Sequence, residues 1–379
     1  MTGLDWVMGF GFVMAAFPSI LAMVNTRRLH QAPSSTEAEA GDELVSCCIP
    51  ARNEEENLEA CVKSLLAGGH EQVEILVYDD ESDDGTPDIL ARLAAADPRV
   101  KAVPTRPLPA GFNGKQHACQ AMGEFANGQW MLFTDADVRF EPGWLKRTLA
   151  VARSDERLGL LSAFPREIAR TIGEMLMVPM IHVLLLGYLP MGRMRKTLEP
   201  AASAGCGQFL FARRTAWKES GGHEAFADSM HDGIRLPRSI RAAGWKTDLV
   251  DGTDLCNCRM YRGFGESFRG FTKNAYEGLG SIWILLLLSV IHLLGHLLPW
   301  GILAWNLFTG TWFAIASPLA IAAILVVLVM RIRLANRYRQ PWLAIVLHPL
   351  AIFTTSLVQW WSLAVQLRGR RSWRGRVAS

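Results

Sequence analysis

Two aspartates, Asp135 and Asp137, follow a short apolar run that begins at Trp130. An apolar run bounded by a polar break is typical of a buried strand in an α/β sheet. Ligands of open α/β sheets bind outside the carboxyl ends of the strands, which is where both carboxylates would stand. Such a pair suits a hard divalent cation that also holds phosphate oxygens. A solvated, aspartate-rich turn has the same short pattern, so this interpretation depends on partners elsewhere in the chain.

Polar breaks also follow the earlier predicted strands. Apolar runs at residues 44–49 and 73–77 end in polar stretches that contain Pro50 and Asp79, and a third apolar run covers 100–103. Each of the first two strands is followed by a segment with helical periodicity. Strands that alternate with helices predict an α/β fold with a parallel-type sheet and its ligand loops along one edge.

Three further polar residues stand beside predicted elements. Lys115 closes a glycine-containing loop, residues 111–115, before a predicted helix. Gln208 lies at the start of a predicted strand that is entered through small residues, and Asp232 directly precedes another predicted helix. The loop with Lys115 is predicted at the same edge of the sheet, and Asp232 joins the set of candidate site residues.

Long apolar segments flank this block. Residues 6–24 are apolar apart from Ser19 and are followed by Arg27, which predicts an uncleaved membrane anchor with its N-terminus outside. A secretory signal would instead carry positive charge before its apolar region. Residues 281–330 contain no Asp, Glu, Lys or Arg and are long enough for two spans.

A further apolar stretch, residues 342–367, lies between two basic runs, 331–339 and 368–376. Both runs favour the cytoplasm, yet a single crossing would place them on opposite sides. Either the stretch is re-entrant, broken around His348-Pro349, or the charge rule fails here. We expect the re-entrant hairpin.

Two other segments have patterns that are compatible with a position at the membrane surface. Residues 175–191 are nearly all apolar, which is compatible with a core helix or with a helix at the membrane surface. Residues 264–279 have an amphipathic pattern and predict a helix at the membrane surface.

Composition excludes several classes of protein. The net charge of +3 gives no indication of nucleic-acid binding. The seven cysteines lack the spacing of a zinc site, so we expect reduced structural thiols. The apolar spans contain no acidic or basic residue that would form a transport pathway.

The ordered series of motifs resembles the GT-A domain of family 2 glycosyltransferases. The matching pieces are IPARNEEENL, VYDDESDDGT, NGK, FTDAD, GQFLFARR and HDGIRLPRSIRAAGW, which together cover residues 44–260. With one span before the domain and several after it, the chain looks like the membrane-bound branch that glycosylates lipids, such as enzymes of ceramide, carotenoid or hopanoid pathways.

The resemblance implies a role for each matching residue. Asp232 would be the general base of an inverting transfer from a nucleotide-sugar, in particular a UDP-sugar, to a lipid hydroxyl. Asp135 and Asp137 would hold Mg²⁺ or Mn²⁺ against the diphosphate, with Asp135 also among the donor-binding residues. The remaining donor-binding residues would be Pro50, Ala51, Glu54, Asp79, Asp80, Lys115, Arg259 and Arg262, and the auxiliary residues would be His231 and Gln208.

The chain departs from the family pattern at two positions. His231 precedes Asp232 where the family usually has Glu, and either an auxiliary role or plain packing would explain it. Gly263 replaces the Trp that often ends the family's last motif, so Tyr261, Phe264 or Phe268 would have to provide the acceptor platform.

The predicted organisation has six parts: an N-terminal transmembrane anchor (1–28), a linker (29–43), the GT-A domain (44–260), an amphipathic interface helix (261–280), a C-terminal region of about three transmembrane or re-entrant segments (281–367) and a basic tail (368–379). We expect a multi-pass protein of the inner (cytoplasmic) membrane with its catalytic domain in the cytoplasm. A processive polysaccharide synthase and an inactive GT-A-like scaffold are the alternative functions.

Overall fold

The computed structural model describes residues 2–34, 42–68, 72–368, 372–373 and 376–377. Part of the predicted linker and most of the predicted basic tail therefore lie outside the described residues. The described chain divides into a sheet unit, residues 29–166 and 190–259, and a helical unit, residues 2–28, 167–189 and 260–368. Residues 167–189, which fall inside the predicted domain, thus group with the apolar helices.

The sheet unit contains eight strands in the order β3-β2-β1-β4-β7-β6-β8-β5. The strands are β1 (Val45–Ala51), β2 (Val73–Asp79), β3 (Val100–Ala102), β4 (Trp130–Phe133), β5 (Val138–Phe140), β6 (Leu158–Glu167), β7 (Leu210–Arg213) and β8 (Lys246–Cys258). β1 to β4 pair in parallel, as their apolar runs predict, because helices cover both faces of such a sheet. The other half is antiparallel, since β7 pairs antiparallel with both β4 and β6, and β5 pairs antiparallel with β8. The sequence pattern did not predict β5 or β8.

Seven of the described helices, numbered in chain order, belong to this unit. They are α2 (Leu58–Leu66), α3 (Thr86–Ala96), α4 (Gly114–Phe125), α5 (Trp144–Ala152), α9 (Arg214–Glu219) and α10 (Asp232–Ala242), with a short α8 (Met191–Lys196). α3 begins with Pro87 in its first turn, where the missing N–H costs nothing. α4 begins at Gly114, inside the predicted loop, because the side chain of Asn113 caps it by accepting from the Lys115 N–H. Lys115 therefore lies in the first turn of a helix and not in the predicted loop.

The helical unit consists of α1 (Gly3–Arg28), α6 (Ile172–Met177), α7 (Met180–Tyr188), α11 (Phe264–Thr272), α12 (Ala275–Leu279), α13 (Ile282–Ile291), a π-helical turn (His292–Leu297), α14 (Leu298–Thr309), α15 (Ala316–Arg337), α16 (Leu343–Val346) and α17 (His348–Leu367). Four of its helical segments are long and apolar enough to cross a membrane: Gly3–Arg28, Ile282–Thr309, Ala316–Arg337 and His348–Leu367. This agrees with the predicted one N-terminal and three C-terminal segments. The apolar stretch at 175–191 is instead split into α6 and α7 next to Pro179, and α7 packs on α1, where Asn25 Nδ2 donates to the Leu186 carbonyl.

Contacts within the helical unit define two ends of the bundle. The Ala316 N–H donates to Asp5 Oδ1, so α1 and α15 begin together, and Asn306 contacts Ser317, so α14 ends there too. We call the opposite end, where α1 and α15 finish and α13 begins, the Arg28 end.

α17 does not span this bundle from end to end. His348 contacts His296 in the middle of the Ile282–Thr309 segment, and the Ser362 hydroxyl accepts from the Tyr276 N–H, just before α13. α17 therefore begins at mid-height and returns to the Arg28 end. The chain turns after α15 near Arg339, whose φ is 52°, and a second break at Leu347, next to His348-Pro349, separates α16 from α17. Pro349 stands in the first turn of α17, where a helix tolerates proline.

Candidate active site

The first part of the site is formed by the loops that follow β1 and β2. Pro50 and Ala51 pair with Tyr78 and Asp79 across these parallel strands, and the Asp80 N–H donates to the Ala51 carbonyl. The Arg52 guanidinium donates to the Asp80 carbonyl. The two strand ends therefore form one polar edge.

Hydrogen bonds hold this edge in an unusual backbone conformation. Asn53 and Glu81 both have positive φ, 54° and 55°, which is uncommon outside glycine. The Asn53 N–H donates to Ser82 Oγ at 2.9 Å, and Asn53 Oδ1 accepts from the Asp83 N–H at 2.8 Å. Such conformations cluster at ligand-binding sites, because the surrounding structure must over-determine them.

Glu54 closes the same edge. Its side chain is buried, its N–H donates to Thr86 Oγ1 at 2.8 Å and its Oε2 accepts from Asn57. The structure thus brings five of the predicted donor-binding residues to one place: Pro50, Ala51, Glu54, Asp79 and Asp80.

The second part of the site is a three-residue ion cluster. The Lys115 ammonium lies 2.6 Å from Asp135 Oδ1 and 2.9 Å from Asp232 Oδ2. Lys115 comes from α4, Asp135 from the end of β4 and Asp232 from the start of α10. One cation therefore joins the predicted metal ligand to the predicted base.

Charge in this cluster is set by burial and by the ion pairs. Burial alone would raise the pKa of Asp232, but the Lys115 ammonium and its hydrogen bond outweigh burial and lower that pKa to about 2. Burial would lower the pKa of Lys115, but the two carboxylates outweigh it and raise that pKa well above its usual value. Asp232 is therefore an anion, and Lys115 a cation, at neutral pH.

Glycines allow the chain to approach Asp232 closely. A Cβ on Gly207 would lie 2.4 Å from Asp232 Oδ1, and a Cβ on Gly233 would lie 2.6 Å from the Gly205 carbonyl oxygen. The Gly233 N–H donates to Asp232 Oδ1 at 2.8 Å. The small residues noted before β7 thus have a role that the sequence pattern alone did not reveal: they make room for the carboxylate.

Gln208 and Arg259 lie near the aspartate pair. Thr134 Oγ1 donates to the Gln208 carbonyl at 2.7 Å, and the Gln208 side chain contacts Cys258 Sγ at 3.0 Å. β5 and β8 pair Val138 with Cys258, and Asp137 and Arg259 are the next residues beyond this last pair.

His231 directly precedes Asp232, and its N–H donates to Ser229 Oγ. Arg262 belongs to the helical unit, where its N–H donates to Glu266.

The departure at Gly263 has a structural reason. Its φ of 86° and ψ of 178° fall in a region that is essentially restricted to glycine, and its N–H donates to Glu174 Oε1 at 2.8 Å. A tryptophan would not adopt this backbone. Phe264 stacks on Phe268 with ring centroids 5.9 Å apart, and Tyr261 packs edge-on against Phe271.

Comparison with known proteins identifies the domain. Residues 46–219 match the model of the family described as Glycosyl transferase family 2. This match supports the resemblance to family 2 glycosyltransferases, and the chain is a glycosyltransferase, as its sequence motifs predicted.

Relatives with similarity over different lengths support this assignment. The chain is 26% identical over 293 residues to a 4,4'-diaponeurosporenoate glycosyltransferase of Staphylococcus haemolyticus, covering 76% of each protein. It is 30% identical over 106 residues to a putative teichuronic acid biosynthesis glycosyltransferase of Bacillus subtilis, covering 28% of this chain and 40% of that protein.

A solved structure shares the fold. A mannosyltransferase of Pyrobaculum calidifontis, determined in complex with GDP-Man and Mn²⁺, superposes with a TM-score of 0.54 at 17% identity, covering 94% of this chain and 99% of that one. The glycosyltransferase has the predicted GT-A fold.

Proposed function

We propose that this glycosyltransferase moves a sugar from a nucleotide-sugar, in particular a UDP-sugar, to a lipid hydroxyl, with metal dependence and inversion. The observation that carries the proposal is the ion cluster of Lys115, Asp135 and Asp232, which stands at the carboxyl end of β4. A base, a diphosphate-binding cation and a candidate metal ligand are what such a transfer requires.

The residues at the end of β4 fit a divalent cation. Asp135 and Asp137 provide carboxylate oxygens, and the described residues contain no group of three or more His, Cys, Asp or Glu that would form an all-protein cage. Mg²⁺ is commonly bound by one or two carboxylates together with substrate phosphates, which matches this donor set. When bound, the metal neutralises charge on the leaving diphosphate.

The side chains of this chain would perform the proton and charge transfers. Asp232 takes the proton from the acceptor hydroxyl while that oxygen attacks the anomeric carbon. The bond from this carbon to the diphosphate breaks, and the cations of Lys115 and Arg259 stabilise the departing nucleotide. A single displacement with one base inverts the configuration of the anomeric carbon.

The membrane and the relatives support a lipid acceptor. The helical unit provides four helices that are apolar and long enough to cross a bilayer, which would keep the enzyme next to lipid substrates. The name of the Staphylococcus haemolyticus relative gives it a lipid-like acceptor, diaponeurosporenoate. Basic residues at the Arg28 end favour the cytoplasmic side of the inner membrane.

The test is nucleotide release from a panel of UDP- and GDP-sugars by the purified full-length protein in detergent, with Mg²⁺ or Mn²⁺ and a total lipid extract. We expect release that requires lipid and falls at least ~100-fold in Asp232→Asn, since general-base catalysis contributes roughly 10²–10⁴-fold. Asp88→Asn, at an exposed position of α3, is the matched control and should keep full activity.

Mass spectrometry of the product separates the alternatives. One sugar added to a lipid supports the proposal, whereas a long polysaccharide would indicate a processive synthase. Nucleotide binding without any release would indicate a scaffold.

Metal binding has its own readout. Titration of Mn²⁺ in the presence of UDP, followed by electron paramagnetic resonance, should show one bound ion per chain. Asp137→Asn should weaken that binding, and Asp88→Asn should not. Equal affinity in both variants would remove Asp137 from the metal site.

A further inference from the structure

The helical unit buries a cation among apolar side chains. Arg331 of α15 is 0% exposed, and only its Nη2 is hydrogen-bonded, to the Ala344 carbonyl at 3.0 Å. Its Nε and Nη1 have no hydrogen-bond partner, and among the described residues no carboxylate pairs with it. Burying a guanidinium without an anion is costly, so buried cations are normally paired.

Two imidazoles belong to the neighbouring segments. His296 Nδ1 and His348 Nε2 are 3.0 Å apart, and His348 follows Ala344, the residue whose carbonyl Arg331 binds, by four positions. The outer nitrogens, His296 Nε2 and His348 Nδ1, have no hydrogen-bond partner. A neutral imidazole carries one ring proton, so a hydrogen-bonded pair always presents one donor and one acceptor at its two outer nitrogens.

The backbone adds positive potential at the same place. His348 begins α17, a helix of 20 residues, at mid-height in the bundle. The N–H groups of a helix N-terminus attract anions, and helices that start inside a membrane use this against anionic groups of substrates. His296 belongs to the π-helical turn, a distortion that is frequent at functional sites.

We propose that Arg331, His296 and His348, which we call the buried polar cluster, bind an anionic oxygen group, a carboxylate or a phosphate, carried by a lipid. The free N–H groups of the guanidinium match two oxygens of such a group. The single turn of α16 is tied to the cluster by the hydrogen bond from Arg331 to the Ala344 carbonyl. Val346 in this turn is 72% exposed, so the turn lies at the surface of the helical unit.

This site does not depend on the proposed transfer reaction, and its test measures binding. The purified full-length protein in neutral detergent is titrated with palmitate or hexadecanol, and with lysophosphatidate or monoacylglycerol. The midpoint of thermal unfolding is followed by tryptophan fluorescence. A ligand that binds only the folded state raises this midpoint. We expect a rise of a few degrees with each anionic amphiphile and none with its uncharged counterpart.

The matched variants are Arg331→Gln and Arg333→Gln, the latter removing an exposed charge two residues along α15. The rise should vanish in the first and persist in the second. If Arg331→Gln does not fold, His348→Gln is used in the same titration and should shift the response to higher ligand concentrations.

Three results would overturn the proposal. The first is no rise with any anionic amphiphile. The second is an undiminished rise in both Arg331→Gln and His348→Gln. The third is an equal rise with acetate or inorganic phosphate at the same concentrations, which would assign the cluster to a free anion and not to a lipid.

Discussion

Asp232 owes its charge state to one neighbouring side chain. Because burial raises its pKa and Lys115 lowers it to about 2, removal of the Lys115 charge should raise the pKa of the base. A base is active only above its pKa, so activity that is lost on acidification should be lost at higher pH in the variant.

Lys115→Met should therefore shift the acid limb of the kcat/KM profile upward in pH, besides lowering activity. The measurement is a pH profile of kcat/KM with saturating metal. Lys218→Met, at an exposed position of α9, should leave the profile unchanged. A variant profile that is only scaled down would mean that Lys115 contributes to donor binding alone.

Gly207 controls the position of the same carboxylate. A Cβ at this residue would meet Asp232 Oδ1 at 2.4 Å, so Gly207→Ala must displace the base. A displacement of about 1 Å can cost ~100-fold in rate. We expect kcat to fall by about this factor while the donor dissociation constant, measured by calorimetry, stays within about threefold.

Gly301→Ala provides the control for Gly207→Ala, since no atom lies within 4 Å of the added Cβ. A large loss of donor affinity in Gly207→Ala would instead show that the whole loop had moved.

The residue types of the site could be predicted from the sequence, but not all their contacts. Asp135 and Asp232 were recognisable because each stands at the boundary of a predicted element. The bridge that Lys115 makes between them was not, since it joins segments that are distant in the chain. The Asn113 cap was a usable local signal for the start of α4 that the periodicity pattern missed.

Glu74 of β2 connects neighbouring strands of the sheet through hydrogen bonds of its side chain. Its side chain accepts from Ser46 Oγ of β1 at 2.6 Å, from the Asn127 N–H at 2.8 Å and from Lys101 of β3 at 2.8 Å. Burial would raise the pKa of Glu74, but these partners outweigh it and keep the pKa below its ordinary value of 4.5.

Glu74→Gln should lower the free energy of unfolding by ~1–3 kcal/mol at pH 7, the cost of unsatisfied buried partners. A lowered pKa contributes stability that is present above the ordinary value and is lost as pH falls. The difference between wild type and variant should therefore shrink below about pH 4.5. Urea unfolding followed by circular dichroism measures both.

Glu59→Gln is the control for Glu74→Gln, because Glu59 makes only exposed ion pairs with Lys63 and Arg92. Such pairs contribute roughly 0–1 kcal/mol. An equal loss of unfolding free energy in the two variants would mean that the buried hydrogen bonds of Glu74 stabilise the fold no more than an exposed ion pair does.

Apolar periodicity predicted the parallel strands and the long apolar helices. It did not predict features that depend on tertiary contacts. The parallel strands and the long apolar helices were predicted, since burial on all sides leaves continuous apolar runs. Arg331 looked like the boundary of a span, but α15 continues to Arg337 and turns this side chain into the bundle. The amphipathic segment 264–279 became α11 and α12, which are separated at Lys273 and Asn274.

The course of α17 allows both basic runs to begin on the same side of the helical unit, as the preference of Lys and Arg for the cytoplasmic side requires. α15 finishes at the Arg28 end and α17 returns to it, so both runs begin on one side of the bundle. We therefore predict three full crossings and one re-entrant segment in a bilayer.

Arg339→Cys, Arg368→Cys and Thr311→Cys, made one at a time, should reveal this arrangement by their labelling in inside-out membrane vesicles. An impermeant maleimide should label the first two and leave the third unlabelled until detergent is added. Unaltered protein is the control, because six of its seven cysteines are buried. Opposite labelling of positions 339 and 368 would mean that α17 crosses completely.

The strand order also determines how late during synthesis the active site can form. In the antiparallel half of the sheet, β4, β7, β6, β8 and β5 lie side by side, and β6 and β7 are the single pair of neighbours among these five strands that is consecutive in the chain. Pairings between distant segments form slowly during folding. A ribosome-bound chain that stops before Asp232 would already expose α1 and the parallel strands but would lack the cluster with Lys115. Catalytic competence is therefore a late event in biogenesis, reached only after nearly the whole sheet unit has been synthesised.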